Sequence, residues 1–369
     1  MPVVESTPVS DGFRMPGEFE RQEAVWLVWP ETGSWRMDGE PAQKVVSELA
    51  VAIAGDLPVR LAATAGQAAK ARSMVTGSVE VVEITAGTGW IRDDGPTFLI
   101  DDTGARRGVD WDFNAWGYAG QNRFSKNLAS YFENDANEAA QRLLEHEGAG
   151  CYRAPLVLEG GSIHSDGRGT IITTEECLLN PNRNPHLDKE EIAGALKRYL
   201  GAKKIIWLPR GVYKDVTSGH VDNLCSFVRP SEVLLTWTDD PNDQQYERSH
   251  QALEVLESST DASGSHFTIH KLHQPGPLYL TEEEIASFPS WIMDELEWSG
   301  GRLAGSYVNY ILTNHRVIFP LLDPETDSGA SETLARAFPK HEILGLESRE
   351  ILLHGGDLHC ISQQLPAPA

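Results

Sequence analysis

The chain has 369 residues, of which 54 are acidic and 31 are basic, so its formal net charge at pH 7 is −23. This balance argues against a nucleic-acid groove, which needs clustered Lys and Arg for phosphate contacts, and it favours the capture of small cations. Because no apolar run approaches the ~20 residues of a membrane span, and residues 1–7 lack the basic and apolar regions of a signal peptide, we expect a soluble cytoplasmic protein without nucleic-acid or membrane partners.

Helical and strand-like patterns alternate along the chain. Helices are predicted from apolar spacing, capping residues and terminal Gly over 41–54, over 189–200, after residue 242 and from a cap at Ser331. Strands are predicted over short apolar and β-branched runs at 97–100, 170–174, 205–208, 233–237, 311–322 (with a turn at 314–315) and 343–344. The alternation predicts an α/β fold, and since no linker divides the chain, we expect 1–369 to form one domain.

Cofactor and metal motifs are missing from the sequence. There is no GxGxxG or GxxxxGK[ST] loop for nucleotide phosphates, and residues 160–162 lack the spacing of a GxSxG nucleophile elbow. His146 lacks the second His of an HExxH motif, and no CxxC pair follows His164. The sequence therefore predicts chemistry without a metal or an organic cofactor.

Five short segments are rich in Gly, Trp and ionisable residues, a composition that lets backbone approach a ligand and often marks functional loops. They span residues 90–96, 113–117, 158–161, 217–223 and 354–360. On an extended segment His220 and Asp222 would line one pocket, ~7 Å apart; the alternative is a surface His beside a helix-capping Asp. Glu159 either ends a strand at a pocket or lies in a solvated turn.

The four cysteines form no CxxC pair, and free thiols suit a reducing cytosol. Cys360 lies directly after His359 at the end of a Gly-rich turn. It is either a buried small apolar residue or a nucleophile with a distant His partner, the arrangement expected for covalent catalysis without a metal. Cys151, Cys177 and Cys225 lie among apolar or helix-flanking residues, and we expect them to be structural.

Three separated carboxylates, Asp93, Glu159 and Asp222, form a chemically suggestive set with Cys360 and His220. Carboxylates bind a guanidinium in bidentate fashion, because two oxygens match its planar fork of N–H donors. Several carboxylates in one pocket would fix the guanidinium plane and leave its carbon open to a thiolate. The hypothesis from the residues is a site for a cationic guanidine.

At these residues the sequence resembles the agmatine deiminase (agmatine iminohydrolase) family of the guanidino-group-modifying pentein superfamily. The match runs through nearly the whole chain in ordered segments at 11–16, 26–30, 90–98, 108–111, 113–117, 157–162, 173–185, 219–223, 237–240, 277–279 and 359–361. So many ordered matches are more specific than any single motif.

The resemblance implies an α/β fold of five ββαβ-like modules around a pseudo-fivefold axis, a propeller with its active-site channel at the centre. It also implies hydrolysis of agmatine to N-carbamoylputrescine and ammonia, a step of polyamine and putrescine biosynthesis, without metal or cofactor. A homo-oligomer is compatible with these implications. The implied roles fall on six side chains: Cys360 as nucleophile, His220 as general acid/base, Asp93, Glu159 and Asp222 as guanidinium ligands, and Trp90 as a wall of the pocket.

Five positions depart from the family pattern as we know it. His354 stands for a Gly, Asp357 for an Asn, Ser218 for an Asn, Asp94 for a Thr and Tyr118 for a Gly. Asp357 would place an extra carboxylate three residues before Cys360 and so disfavour its thiolate. The changes leave every proposed catalytic residue in place and bear on the substrate tail and the rate.

Two other functions fit the same residues. One is another pentein activity on a different guanidine, such as hydrolysis of a peptidyl-arginine or an arginine derivative, or amidino transfer. The other is a non-catalytic cation-binding relative, against which the retention of Cys360 and His220 counts. Assays with agmatine, free arginine and arginine peptides separate these functions.

Overall fold

Five sheets with helices between their strands make up residues 4–32, 35–117, 136–288 and 301–368, the ranges that the computed structural model describes. The strands are β1 (Gln22–Val28), β2 (Val59–Ala63), β3 (Val79–Glu83), β4 (Thr97–Ile100), β5 (Arg106–Asp112), β6 (Gly150–Val157), β7 (Ile163–Ser165), β8 (Thr170–Thr174), β9 (Lys204–Leu208), β10 (Cys225–Arg229), β11 (Glu232–Trp237), β12 (Thr268–His273), β13 (Ile311–Leu312), β14 (Arg316–Leu321), β15 (Glu342–Glu347) and β16 (Ser362–Pro366). The helices are α1 (Glu40–Ala54), α2 (Ala68–Met74), α3 (Ile91–Asp94), α4 (Asn137–His146), α5 (Glu175–Leu178), α6 (Lys189–Leu200), α7 (Gln244–Ser258), α8 (Glu282–Ala286), α9 (Asp327–Ala337) and α10 (Arg349–Leu352). Within these ranges, no helix has the length and apolar character needed to cross a membrane.

The five sheets share one pairing pattern. In each, a central strand pairs antiparallel with one neighbour and parallel with the other. The strand orders are β4-β5-β6, β7-β8-β9, β10-β11-β12, β13-β14-β15 and β16-β1-β2, and β3 adds a further parallel pair to the last sheet. Since a parallel pair needs a crossover connection, a helix lies between the two parallel strands of every sheet. The predicted α/β alternation is confirmed.

The crossover helix α6 follows from local sequence. Asp188 accepts the Glu191 N–H over 2.9 Å, and the Glu191 carboxylate accepts the Asp188 N–H over 2.9 Å, which completes a capping box. Gly201 ends the helix with a φ of +75°, a conformation that favours glycine. Ile192 and Leu196 face the core. The prediction for this helix is confirmed at both ends.

The predicted start of α9 is wrong. The helix begins at Asp327, so Ser331 lies inside it and caps nothing. The Asp327 carboxylate accepts N–H groups from Leu322 and Asp323, each over 3.0 Å, and the hydroxyl of Tyr307 over 2.7 Å. These contacts fix the first turn of the helix upstream of the sequence-predicted cap.

The segment before the first strand of every sheet supplies polar residues to one region. The strands β4, β7, β10, β13 and β16 follow α3, a 3-10 turn at Gly160–Ser162, a 3-10 turn at Val221–Asn223, residues 306–310 and residues 357–361. The predicted extended segment for His220 and Asp222 is therefore wrong, because His220 caps the second of these turns and Asp222 lies within it. The turn still brings both side chains to the same place.

Candidate active site

Gly161 lies at the centre of the candidate site. A Cβ atom at this position would lie 2.6 Å from His220 Nδ1, 2.8 Å from Asp93 Oδ1 and 2.9 Å from Asp222 Oδ2. All three side chains are buried, and no residue larger than glycine fits between them. Three of the sequence-predicted residues therefore meet around one glycine.

Asp93 lies in α3, and donors from two other segments fix its carboxylate. Trp116 Nε1 donates to Oδ2 over 2.8 Å, and the Gly161 N–H donates to Oδ1 over 3.0 Å. Burial raises the pKa of Asp93 to about 6, although the nearby His220 opposes that shift. Asp93 therefore changes its charge just below neutral pH.

Glu159 follows the end of β6 and is completely buried, so the strand-end interpretation is correct and the solvated turn is not. Arg183 Nε donates to its Oε1 over 2.7 Å, and Arg183 Nη2 donates to the Thr217 carbonyl over 2.7 Å. Burial opposes ionisation, but the Arg183 charge lowers the pKa of Glu159. Its Oε2 has no hydrogen-bond partner among the described residues and lies 3.6 Å from His220 Nε2.

His220 is held by its backbone rather than by its ring. Its N–H donates to Asp215 Oδ2 over 2.9 Å, whereas neither ring nitrogen has a hydrogen-bond partner within the described ranges. Nδ1 lies 3.7 Å from Asp93 Oδ1. Burial alone would lower the pKa of His220, but Asp93, the Cys177 thiol and Glu159 raise it well above its usual value. The ring is therefore an imidazolium between two carboxylates.

Cys360 lies just before β16 and is buried. Asn309 Nδ2 donates to its sulfur over 3.2 Å, and the thiol donates to Asp222 Oδ2 over 3.7 Å. Burial, together with the charges of Asp222 and Asp93, raises the pKa of the Cys360 thiol well above its usual value. In the free protein Cys360 is thus a thiol.

Asp222 joins Cys360 to a second imidazole. His359 Nδ1 donates to its Oδ2 over 2.9 Å, and His359 Nε2 donates to Glu18 Oε1 over 2.9 Å. Burial opposes ionisation, but the hydrogen bond and charge of His359 lower the pKa of Asp222. Its Oδ1 is buried without a hydrogen-bond partner in the described part of the chain.

Trp90 lies beside Cys360, as a pocket wall would. A Cβ atom on Gly356 would lie 2.4 Å from the Trp90 ring and 3.0 Å from Cys360 Cβ, so this glycine separates the two. The Trp90 ring stacks on Trp35 with centroids 5.5 Å apart, and the ring of His354 lies 4.5 Å from that of Trp35. The departure at His354 therefore adds to an aromatic row that begins at Trp90.

Asp357 does not oppose the Cys360 thiolate in the predicted way. Burial raises the pKa of Asp357 to about 8, so its carboxyl group is mostly neutral at pH 7. Its backbone hydrogen bond to Cys360 lowers the pKa of the thiol. A buried, neutral Asp resembles the Asn that the family pattern places there.

Asp94 and Ser218 are two further departures from the family pattern. Burial raises the pKa of Asp94 to about 7, and its Oδ2 accepts the Thr88 N–H over 2.6 Å and the Thr88 hydroxyl over 2.7 Å. Ser218 has a φ of +67°, a conformation that Asn adopts more readily. Tyr118 lies outside the described residues.

Two buried clusters of described residues have the composition of a metal site: Glu18 with His164 and His359, and Glu159 with Cys177 and His220. In each cluster an arginine already approaches the carboxylate. Arg92 Nη1 lies 3.3 Å from Glu18 Oε1, and Arg183 Nε lies 2.7 Å from Glu159 Oε1. This fixed guanidinium already supplies positive charge beside the carboxylate, which disfavours a divalent metal ion among these ligands.

A model of the Porphyromonas-type peptidyl-arginine deiminase family matches residues 14–366. The chain belongs to this family. It is 50% identical over 366 residues to an agmatine deiminase of Pseudomonas aeruginosa, covering 98% of each chain. It is 49% identical over 371 residues to an agmatine deiminase of Pseudomonas putida, covering 100% of this chain and 99% of that relative. The resemblance found in the sequence is confirmed.

Solved structures of the family have the same fold. The agmatine deiminase of Enterococcus faecalis superposes with a TM-score of 0.92 at 38% identity, covering 100% of this chain and 99% of that one. The agmatine deiminase of C. jejuni superposes with a TM-score of 0.78 at 26% identity, covering 96% and 97%. The α/β fold is therefore that of solved agmatine deiminases.

Sequence reasoning missed the residues that hold the predicted ones in place. They are Glu18, Trp116, Gly161, Arg183, Asn309 and His359. Three of them, Trp116, Gly161 and His359, lie inside the Gly-rich segments of the sequence analysis, but nothing in those segments indicates which carboxylate each would contact. Cys177, expected to be structural, lies within 4.8 Å of His220 and Glu159.

Proposed function

We propose that the protein hydrolyses the guanidinium group of agmatine to N-carbamoylputrescine and ammonia, with Cys360 as the nucleophile. The observation that carries this proposal is the convergence of His220, Asp93 and Asp222 on Gly161. Glu159 Oε2 lies 3.6 Å from His220 Nε2, and the Cys360 thiol lies 3.7 Å from Asp222 Oδ2. Relatives about 50% identical over nearly the whole chain are named agmatine deiminases, which supports agmatine as the substrate.

Two unpartnered carboxylate oxygens support binding of a guanidinium. Glu159 Oε2 and Asp222 Oδ1 are buried acceptors with no donor in the described ranges. A buried acceptor left without a partner costs ~1–3 kcal/mol, which a substrate N–H can recover. Asp93 supplies the third negative charge, and the Trp90 ring would flank the bound group.

Substrate binding would also activate the nucleophile. The Cys360 thiol is protonated in the free protein because of its burial and the negative charge of Asp222 and Asp93. A guanidinium bound between these carboxylates neutralises that charge, so the thiol pKa falls, the thiol proton is released to solvent and the thiolate forms in the complex. Because the thiolate forms after binding, an empty site would react slowly with other electrophiles.

The first half of the reaction removes ammonia. The Cys360 thiolate adds to the guanidinium carbon, and the new C–S bond gives a tetrahedral adduct. His220, an imidazolium in the free protein, gives its proton to the departing nitrogen. The C–N bond breaks, ammonia leaves and an S-alkylthiouronium remains on Cys360.

The second half restores the enzyme. His220, now neutral, takes a proton from water, and the resulting oxygen nucleophile adds to the same carbon. When this adduct collapses, the C–S bond breaks, the hydroxyl proton of the adduct passes to the departing Cys360 sulfur and the product carries a neutral ureido group. His220 thus donates one proton and recovers one in each cycle.

The test is Cys360→Ser assayed by ammonia release and by mass spectrometry of enzyme quenched during turnover. We expect turnover with agmatine to fall about 10⁴-fold or more, because the nucleophile acts as one unit with its base. Agmatine binding, measured by calorimetry, should persist. In the wild type a covalent adduct should map to Cys360.

The matched control is Cys151→Ala, which removes a buried thiol outside the site and should retain wild-type turnover. A chelator should leave the wild type active, whereas prolonged thiol alkylation should inactivate it, slowly because the free enzyme holds Cys360 as a thiol. Full activity in Cys360→Ser, or inhibition by chelator that added zinc reverses, would reject the thiol mechanism. Faster turnover of arginine peptides than of agmatine would instead favour the peptidyl-arginine alternative.

We also propose that residues 1–369 form one pentein domain, with the five sheets as ββαβ-like modules around a pseudo-fivefold axis. Two observations support this proposal. The five sheets share one pairing pattern, and the segment before the first strand of each sheet supplies a residue to the candidate site. Asp93, Gly161, Asp222, Asn309 and Cys360 come from five such segments, which suits a site in a central channel.

The proposed surroundings of the enzyme follow from charge and thiol chemistry. The net charge of −23 favours a small cationic substrate over nucleic acid and over an anionic membrane surface. All four cysteines are free and buried, as in proteins of the reducing cytoplasm. Association into a homo-oligomer stays a prediction that sedimentation would test.

A further inference from the structure

A second group of buried ionisable side chains contacts Asp222, and the proposed mechanism does not use it. Its members are Glu18, Arg92, His164 and His359, and each is at most 8% exposed. Buried charges are costly unless they are paired and hydrogen-bonded. Four such groups beside a candidate active site therefore need a reason.

The contacts of this group form one chain that ends at Asp222. His359 Nδ1 lies 2.9 Å from Asp222 Oδ2, and His359 Nε2 lies 2.9 Å from Glu18 Oε1. Glu18 Oε1 also lies 3.3 Å from Arg92 Nη1 and 3.8 Å from His164 Nε2. Of the two histidines, only His359 reaches Asp222 by a hydrogen bond in the described structure.

The backbone of His359 is held as firmly as its ring. Its N–H donates to Asn309 Oδ1 over 3.0 Å, and its carbonyl accepts from Arg92 Nε over 3.4 Å. Asn309 also donates to the sulfur of Cys360, the next residue along the chain. The ring that contacts Asp222 and the thiol that contacts Asp222 are therefore fixed by the same neighbours.

The geometry settles the charge of His359. A neutral imidazole has one N–H, so it can donate to only one of two acceptors. Both ring nitrogens of His359 face carboxylate oxygens at 2.9 Å, and two ionised carboxylates require two donors. The ring is therefore an imidazolium, in agreement with the direction of its pKa, which rises above the usual value although burial and Arg92 oppose the rise.

We propose that His359, held by Glu18, is a positioning residue: as an imidazolium it fixes one oxygen of Asp222 and leaves the other for the guanidinium of the substrate. The substrate part of this inference rests on the proposed function, whereas the charge and orientation of His359 do not. Without His359, Asp222 would lose its nitrogen donor, and the buried carboxylate could then rotate or take up a proton.

His164 supplies a matched control within the same group. It contacts Glu18 but makes no hydrogen bond to Asp222, and its Nδ1 accepts the Phe227 N–H over 3.3 Å. Burial lowers the pKa of His164 to about 4, so it is neutral. An Asn at this position keeps the acceptor for Phe227. His164→Asn therefore disturbs the buried group without removing the contact to Asp222.

The first test is independent of any reaction. Nitrogen NMR of the full-length protein labelled with ¹⁵N-histidine, with His359→Gln used for assignment, should show both ring nitrogens of His359 protonated at pH 8. In Glu18→Gln the ring should become neutral at that pH. The titratable and charged groups that face the ring are Glu18, Asp222, Arg92, His164, whose ring centroid lies 6.4 Å away, and, one residue along the chain, Cys360. A neutral His359 in the wild type would overturn the proposal.

The second test uses kcat/KM for agmatine as a function of pH. His359→Phe should lower kcat/KM by about 10- to 100-fold, the usual effect of losing a hydrogen bond to a charged group, and should move the acid limb to higher pH. His359→Asn, whose amide nitrogen can replace Nδ1 as donor, should recover part of the loss. His164→Asn should stay within about 3-fold of the wild type.

Two results of the kinetic test would overturn the positioning role. One is an equal loss of kcat/KM in His164→Asn and His359→Phe. The other is a folded His359→Phe enzyme that keeps the wild-type pH profile. Melting temperatures identify a variant that is merely unfolded, and the NMR result decides the proposal in that case. A wild type that never turns over agmatine would reject the proposed function, while the ring charge would still decide the state of His359.

Discussion

Two carboxylates of the site, Glu159 and Asp222, are anchored in the same way by different cations. Each has one oxygen held by a buried nitrogen donor, from Arg183 at 2.7 Å in one case and from His359 at 2.9 Å in the other. The second oxygen of each is buried and has no hydrogen-bond partner in the described part of the chain. The arrangement orients a charge and leaves an acceptor for a ligand.

The two anchors differ in how firmly their charge is held. A guanidinium stays protonated at every pH that a protein tolerates, and Arg183 has a second acceptor in the Thr217 carbonyl. The His359 imidazolium depends on Glu18, its other partner. The comparison indicates that the Glu159 side of the site is insensitive to pH, whereas the Asp222 side responds to it.

Among the three variants that test this comparison below, the largest expected effect comes from removing the permanent anchor, Arg183. Arg183→Gln leaves Glu159 as a buried charge without its partner, which typically costs ~2–5 kcal/mol. We therefore expect kcat/KM for agmatine to fall by about 30-fold or more, and by the same factor from pH 6.5 to 9. Steady-state kinetics across that range measure the effect.

The control for this variant is Arg210→Gln, which removes a partly exposed arginine whose contacts are with Gln251 and Glu247. It should keep wild-type kinetics. Circular dichroism and melting temperature identify unfolding of Arg183→Gln. A loss confined to one end of the pH range would contradict the view that this anchor has a fixed charge.

A second, smaller effect is the acid limb set by Asp93. The pKa of this carboxyl is raised to about 6 in the free protein, and protonation removes a charge that would bind the guanidinium. Since kcat/KM reports the free enzyme, we expect it to fall as the pH drops below about 6, by about tenfold at pH 5. Asp93→Asn should be slower at all pH values and should lose this limb. A limb that persists unchanged in Asp93→Asn would assign it to another group.

The smallest effect on activity, with a clear effect on stability, is expected at Asp357. The pKa of Asp357 in the folded protein, about 8, exceeds its value in the unfolded chain. The contribution of the neutral carboxyl group to the free energy of unfolding is therefore complete at low pH and is lost as the pH rises towards 8. Asp357→Asn removes that loss. We expect the free energy of unfolding to rise by about 1–3 kcal/mol at pH 8 and to change little at pH 4, with kcat/KM within about 2-fold.

Denaturation of the wild type and Asp357→Asn at both pH values measures this difference. Asn cannot ionise, so the gain should disappear at the acidic end of the range. A gain that is equal at pH 4 and pH 8 would show that packing, rather than ionisation of Asp357, separates the two proteins.

Local patterns predicted the elements whose ends are set by neighbouring residues. The capping box of Asp188 and Glu191 and the terminal Gly201 lie within a short stretch of chain, so α6 was found at both ends. The start of α9 was missed because the Tyr307 hydroxyl, twenty residues upstream, contributes to the contacts that fix Asp327. Prediction failed where the deciding partner was distant in sequence.

The candidate site follows the same rule. Cys360 and the other proposed catalytic residues stand out because Gly-rich segments and the family resemblance both mark them. The contacts of their anchors cannot be read from the sequence, because Glu18 and His359 are 341 positions apart and Arg92 and His359 are 267 apart. A residue whose role is to orient another has no signature of its own until the fold brings the two together.

The position of Cys360 directly before β16 has a consequence for synthesis. That strand pairs with β1, so the last strand of the described chain completes a sheet that the first strand began. A nascent chain can carry Asp93, Glu159 and Asp222 long before the thiol exists. Pairing of chain ends this far apart forms slowly compared with local structure. In the proposed mechanism, the order of synthesis thus delays catalysis until β16 has paired with β1, and a chain released earlier would have the carboxylates proposed to bind the cation but not the proposed nucleophile.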